Sequence, residues 1–318
     1  MSLPTSFEVC AGAGGQALGL EQAGFVHKGL LELDQDCCAT LRRNRPNWNI
    51  IEEDINHFDG RPWRGIDLLA GGLPCPPFSV AGKQLGESDE RNLFPAMLRL
   101  VDQMKPRAVM IENVRGFLDA VFSDYREQLK RQLEKMGYVT DWRLLNASDF
   151  GVPQLRPRVV IVAILKELSD LFSWPDSNPK SAPTVGKTLR DLMGVNGWKG
   201  AAKWARNADD VAPTVVGGSK KHGGPDLGPT RSRRAWASLG VDGLGLANEA
   251  PARDWIGMPR LTNRMVARLQ GFPDDWSFVG GKTTVHRQVG NAFPPPVAVA
   301  IGRTLNACLR TRQLRLIG

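Results

Sequence analysis

The 318-residue chain is short of the features that would place it in a membrane, a disulfide framework or a metal cluster. No apolar run reaches the roughly 18 residues needed to span a bilayer. The opening MSLPTSFEVC has no basic stretch followed by an apolar one, so it does not read as a secretory signal. Cysteines number five (Cys10, Cys37, Cys38, Cys75 and Cys308), an odd count with no CxxC spacing. They read as reduced thiols in a cytoplasmic protein. Only four histidines occur (His27, His57, His222 and His286), too scattered to form a ligand set, and no metal is expected. Internal repeats and long low-complexity tracts are absent. What remains is an ordinary globular composition, 42% hydrophobic and 23% charged. The length suits one large domain with a smaller one.

Acidic residues are also in deficit, 33 against 41 basic ones, giving a net charge of +8. The excess is local. Residues 187–234 hold ten Lys or Arg against four Asp. Such a field attracts a polyanion, most simply nucleic acid, although a solvated basic face would look the same in composition.

Along the first 165 residues short apolar runs alternate with helix-spaced segments. Phe7–Cys10, Val26–Leu33, Ile66–Ala70, Ala108–Ile111 and Val159–Leu165 read as strands. QALGLEQAG and Ser123–Met136 read as helices that end at glycines. The alternation predicts a doubly wound α/β sheet. After about Leu168 the chain turns rich in Pro, Gly, Trp and basic residues, which predicts a smaller, loop-rich domain. Helical spacing returns at Asn263–Leu269 and Pro296–Leu309. The expected divisions are 1–168, 169–262 and 263–318.

Six places along the chain carry chemistry. In AGAGG, Gly12, Gly14 and Gly15 follow a strand and open a helix, so backbone N–H groups can approach a ligand closely. Glu32 ends the second strand, where a carboxylate can accept from ribose hydroxyls. Asp54, past the third, can meet an adenine amino group or simply cap a turn. GGLPCPPFSV (71–80) delivers Cys75 to the carboxyl edge of the sheet between prolines that fix the backbone. Such a thiol is either a buried core group or a nucleophile. Glu112-Asn113-Val114 sits at the next strand end, where burial would favour a protonated Glu112. In Gln154-Leu155-Arg156-Pro157-Arg158, strand alternation would turn Gln154, Arg156 and Arg158 to one side, fit for phosphate or base contacts.

The order of these pieces resembles the DNA (cytosine-5) methyltransferases of bacterial restriction-modification type. The resemblance runs from Phe7 to Gly302 and includes RLTNRMVARLQGFPDDW (260–276) and RQVGNAFPPPVAVAIG (287–302). It departs at Glu8-Val9-Cys10, where the family usually has Asp-Leu-Phe, and at Leu33, where some members carry tryptophan. Adenine stacking would then be weaker or supplied elsewhere.

The resemblance implies S-adenosylmethionine as methyl donor. It would be held by Cys10, Ala11, Gly12, Gly14, Gly15, Glu32, Leu33, Asp54, Ile55, Pro74, Asn291 and Ala292. It implies that Cys75 attacks C6 of a flipped-out cytosine and that Glu112 acts at N3. Arg158 would contact the base, and Arg156, Gln154 and Asn113 would support that shell. The basic region becomes a target-recognition domain for double-stranded DNA, with Ser79, Lys220, Lys221, Arg231, Arg233 and Arg234 on the DNA. GGSKKHGGPDLGPTR (217–231) would be the reading loop. A monomer without membrane contact is expected, in a bacterial cytoplasm and on the nucleoid through its DNA, alongside a separate cognate restriction endonuclease. Two rivals share the motifs. A transfer-RNA cytosine-5 methyltransferase should have a smaller recognition region. A non-catalytic DNA-binding relative should have lost the cysteine or the glutamate.

Overall fold

Seven strands form one sheet in the order β3-β2-β1-β4-β5-β7-β6. They are β1 (Thr5–Val9), β2 (Val26–Glu32), β3 (Ile50–Glu52), β4 (Leu68–Gly72), β5 (Ala108–Val114), β6 (Tyr138–Asn146) and β7 (Pro157–Leu165). This computed structural model describes residues 3–74, 92–179, 182–217 and 224–315. β1 to β5 pair in parallel, and β7 runs antiparallel to β5. The doubly wound α/β expectation is met. Strand order reverses between β1 and β4, and in open α/β sheets ligands bind beyond the carboxyl ends of the strands at such a reversal.

Helices α1 (Gly15–Gln22), α2 (Gln35–Asn44), α3 (Phe94–Met104) and α4 (Ser123–Lys135) connect the strands. On one face Phe7, Val9, Leu69, Val109 and Ile161 of the sheet meet Phe94, Met97 and Val101 of α3 and Leu129 and Leu133 of α4. Each such side chain, fully buried, contributes about 1.5–3 kcal/mol. The long helix α10 (Pro295–Arg315) packs on α1: a Cβ built at Gly302 would lie 2.7 Å from the Ala23 Cβ, and Asn306 donates to the Ala23 carbonyl at 3.0 Å.

By contact the chain divides into two units. One comprises Met1–Leu145, Pro157–Asp176 and Val297–Gly318; the other comprises Asn146–Arg156 and Ser177–Pro296. The stretch 263–296 therefore belongs with the second unit, and only the part from Val297 onward belongs with the sheet.

The second unit is more helical than its Pro- and Gly-rich composition predicts. It holds α5 (Val185–Gly194), α6 (Ala201–Asn207), α7 (Thr230–Ser238), α8 (Asn263–Leu269) and α9 (Lys282–Asn291). These helices are too short to show long periodicity, so packing stabilises them rather than propensity. Thr184 caps α5 by accepting from the Lys187 N–H. Val185, Leu189 and Met193, four apart, are fully buried. A Cβ on Gly186 would strike the Ala205 carbonyl at 1.9 Å, so glycine sets the close approach of α5 and α6. Buried tryptophans fasten the loops: Trp204 donates to the Gly240 carbonyl and Trp198 to that of Trp255, both at 3.0 Å.

Candidate active site

The carboxyl edge of the sheet gathers the groups that sequence reasoning singled out in the first unit. Glu32 ends β2, the Cys10–Gly14 loop leaves β1, Gly72 ends β4, and Glu112 and Asn113 lie near the end of β5. Register aligns them: Val9 faces Gly71, Gly72 faces Glu112, and Val114 faces Arg158 at the start of β7. Glu112 is 6% exposed and pairs with Arg158, Nε to Oε1 at 2.8 Å. A Cβ on Gly72 would stand 3.4 Å from the other Glu112 oxygen, at ordinary contact distance, so Gly72 and the carboxylate are direct neighbours. Asn113 is wholly buried. Its Oδ1 accepts from the Val114 N–H at 2.8 Å, while its Nδ2 has no partner among the described residues.

Beyond β1 the backbone takes left-handed conformations at Cys10 (φ 52°), Gly12 (φ 53°) and Gly14 (φ 86°). Cys10 holds this conformation with a side chain, at a cost of order 1 kcal/mol. Open space lies where a Cβ on Gly12 would project. Glu32 braces the loop: Oε2 accepts from the Gly12 N–H at 2.7 Å, and Oε1 accepts from Leu33 and Asp34 at 2.9 and 2.8 Å. Burial raises the Glu32 pKa against the lowering effect of those N–H groups.

Ala11 and Gly15 are buried within the same segment, and Leu33, beside Glu32, is 63% exposed. Asp54 caps the next turn, its Oδ1 accepting from the Asn56 N–H at 2.9 Å, with Ile55 buried beneath it. Both the turn and the ligand readings of Asp54 are therefore compatible with its place on this edge. Pro74, just past β4, is exposed. Behind the loop, burial pushes Glu8 well above the carboxylate range. The neighbouring Gln16 side chain lowers it in part, without offsetting the burial. Burial and the carboxylates Glu32, Asp54 and Glu8 push the Cys10 thiol far up, so it stays protonated.

Gln154 and Arg156 depart from expectation. β7 begins only at Pro157, and both residues are buried in the second unit, 0% and 1% exposed. Gln154 accepts from the Val215 N–H at 2.8 Å and donates to Gln270 Oε1 at 2.7 Å. Arg156 donates to the carbonyls of Val215, Gly290 and Ala292 at 2.8, 2.7 and 3.1 Å. Proline at 157 breaks the alternation that would have aligned them with Arg158, and backbone carbonyls, rather than phosphates, take their donors.

Asn291 ends α9 and Ala292 follows it. A Cβ on Gly217 would lie 2.5 Å from Asn291 Oδ1, and one on Gly290 2.4 Å from the Gly217 Cα. Arg231, Arg233 and Arg234 lie on α7, whereas a loop was expected as far as residue 231. A basic cleft of about 580 Å³ opens near α5 and α6, lined by Lys187, Arg190, Trp198 and Lys199 among others. Cys75, Ser79, Lys220 and Lys221 lie outside the described residues.

The family described as C-5 cytosine-specific DNA methylase matches residues 5–307. The chain belongs to this family. It is 55% identical over 309 residues to the Type II methyltransferase M.NaeI of Lentzea aerocolonigenes, covering 95% of this chain and 74% of that one. It is 52% identical to the Type II methyltransferase M.NgoMIV of Neisseria gonorrhoeae, covering 96% and 98%. In fold it resembles the Entamoeba histolytica methyltransferase EhMeth (TM-score 0.68, 13% identity, 96% and 98% covered). It also resembles the S. pombe Dnmt2 methyltransferase (TM-score 0.62, 18% identity, both chains fully covered). The resemblance read from the motifs is thus borne out, and with it the assignment as a DNA (cytosine-5) methyltransferase.

Three supporting groups of this methyltransferase escaped sequence reasoning. Arg99 of α3 donates to the carbonyls of Ile55 and Phe58 at 2.6 and 2.7 Å, holding the turn after Asp54. A lone arginine in the apolar stretch FPAMLRLV was its only signal. Gln270 links Gln154 to Ala292, donating to that carbonyl at 2.5 Å. Gly290 permits backbone contact with Gly217. Neither of the last two carries a mark that chain-local patterns can reveal.

Proposed function

We propose that this methyltransferase modifies C5 of a flipped-out cytosine in double-stranded DNA through a covalent adduct of Cys75 with C6. The observation that carries the reading is the buried Glu112–Arg158 pair facing Gly72, the last residue of the strand that leads into Cys75. Cys75 follows Gly72 by three positions in the sequence.

The target carbon is a poor nucleophile inside a stacked duplex, so the base must leave the helix. The Cys75 thiolate then forms a bond to C6, and the displaced electron pair moves toward C5 and N3. Glu112 holds a proton at N3 and stabilises the charge that develops there. Arg158 fixes the Glu112 carboxylate and reaches the base, and Asn113 supports the turn that carries the cysteine. C5 receives the methyl group, loses its proton to a base, and the C6–sulfur bond breaks to restore the ring and the thiolate.

The methyl donor is S-adenosylmethionine, which when bound supplies an electrophilic methyl group. The residues fit a nucleoside ligand. The loop Cys10, Ala11, Gly12, Gly14 and Gly15 leaves open space over Gly12. Glu32 accepts from ribose hydroxyls, Asp54 and Ile55 meet the adenine, and exposed Leu33 offers it an apolar face. Pro74, Asn291 and Ala292 complete the set. Ser79, Lys220, Lys221, Arg231, Arg233 and Arg234 serve DNA, with phosphate contacts supplying affinity. The enzyme works as a cytoplasmic monomer beside a separate cognate endonuclease. Among the described residues no helix is long and apolar enough to cross a membrane.

The test is incubation with methyl-labelled S-adenosylmethionine and either duplex DNA or transfer RNA, followed by bisulfite sequencing. Label at one cytosine of a short duplex sequence is expected; label in transfer RNA alone would replace this reading with the RNA-directed one. Glu32→Gln should raise KM for the methyl donor about 10–100-fold, since a charge-assisted hydrogen bond contributes about 1.5–3 kcal/mol. KM for DNA should stay within twofold. An unchanged KM for the donor would remove Glu32 from the cofactor site.

A further inference from the structure

The α7 helix has the attributes of a groove-reading element. Its sequence, TRSRRAWAS, has no acid. At 100° per residue Arg231, Arg234, Ala235 and Ser238 share one face. Arg231, Arg234, Ala235 and Ser238 are all exposed, while Trp236 on the opposite side is 0% exposed. None of Arg231, Arg233 and Arg234 joins an ion pair among the described residues. Neighbouring arginines are spent: Arg260 on Asp242 at 2.8 Å, and Arg268 on Asp191 at 2.6 Å and on Asp274.

Both ends of α7 are fixed by buried groups. Before it, wholly buried His286 bonds through Nε2 to the Asp226 carbonyl at 2.9 Å, and Asp226 accepts from the Gly228 N–H at 2.8 Å. After it, Gly240 accepts from the Trp204 indole. The turn beside it continues the surface. A Cβ on Gly243 would lie 3.2 Å from the Arg233 side chain, and Leu244 is 65% exposed.

We infer that α7 enters the DNA major groove and that Arg231 and Arg234 each read a guanine there; this rests on the duplex-DNA reading above. A solvated helix would gain nothing from an acid-free face. A phosphate-binding helix would work equally well with lysine, yet every basic residue of α7 is arginine, whose planar fork matches the O6 and N7 atoms of guanine. Ala235 and Ser238 leave the space between the arginines and the turn clear for base edges. Three residues along a helix is about 4.5 Å, against about 3.4 Å per base pair, so the two arginines reach neighbouring pairs.

The test compares wild type, Arg231→Lys and Arg234→Lys on the preferred duplex and on duplexes carrying each single base-pair change. Bisulfite sequencing reads the relative rates, and thermal unfolding checks the fold. Lysine keeps the charge and loses the fork. Each variant should therefore lose about tenfold or more of discrimination at one G·C pair, the two pairs being adjacent, and keep it elsewhere. A uniform loss across all sequences with a shallower salt dependence would make α7 a phosphate contact and overturn the inference. Unchanged discrimination would overturn it as well. If wild type itself labels transfer RNA instead of duplex DNA, the underlying reading fails, which is a separate result.

Discussion

A Cys75→Ser protein is expected to lose methyl transfer by a factor on the order of 10⁴ or more, while duplex binding stays within a few-fold of wild type. The hydroxyl is a far weaker nucleophile than the thiolate. A substrate carrying fluorine at C5 sharpens the test. Restoring the ring requires loss of the C5 substituent as a cation, which a proton permits and fluorine does not. Wild type should accumulate a methylated adduct that survives denaturing electrophoresis, and Cys75→Ser should form none. A serine protein that forms the adduct, or methylates at the wild-type rate, would refute the assignment. Cys10, Cys38 and Cys308 offer no substitute. Burial pushes Cys10 and Cys308 up, and Cys38 to about 12, so none ionises near neutrality. Glu112→Gln should retain slow adduct formation and lose about 10²–10⁴-fold in kcat, the usual span for proton transfer. Activation of the thiol then needs no adjacent histidine, because protonation at N3 makes C6 the better electrophile.

The sheet and its edge were legible in the sequence because they rest on local patterns. Buried parallel strands read as continuous apolar runs, and their ends carry glycines and carboxylates that have no packing role. Glu32, Glu112 and the Cys10–Gly15 loop follow from that alone. The second unit was less legible. Its helices of seven to ten residues are held by buried side chains such as Trp198 and Trp204, whose hydrogen-bond partners are far away in the chain. Thr230 and Arg231 read as the end of a loop because Gly- and Pro-rich sequence precedes them, whereas they open α7, whose Trp236 is wholly buried. The places of Gln154 and Arg156 were hidden for a different reason. Strand alternation stops at Pro157, and the carbonyls that take their donors lie far away in the chain.

That distinction separates the two arginines of the motif by experiment. Arg156→Met is expected to lower the stability of the second unit by about 3–5 kcal/mol. Methionine roughly preserves volume, so the loss comes from the buried carbonyls of Val215 and Gly290 left without the Arg156 donors, and from that of Ala292 left with Gln270 alone. With a shift of about 2–4 °C per kcal/mol at this size, the melting temperature should fall about 10 °C. Arg156→Lys should recover only part of the loss, because an ammonium cannot span carbonyls on two segments as the planar guanidinium does. Arg158→Met leaves the buried Glu112 carboxylate without its cation and the Pro157 carbonyl without a donor, so it should also melt several degrees lower, but unlike Arg156→Met it should lose most of its kcat while folded. Calorimetry of both proteins beside their kcat values decides the matter. An Arg156→Met protein that melts with wild type and loses only activity would return Arg156 to the ligand. The Gly217 backbone rests on Gly290 and Asn291. Loosening by Arg156→Met should therefore also raise KM for the methyl donor through Asn291, the residue proposed to help hold it.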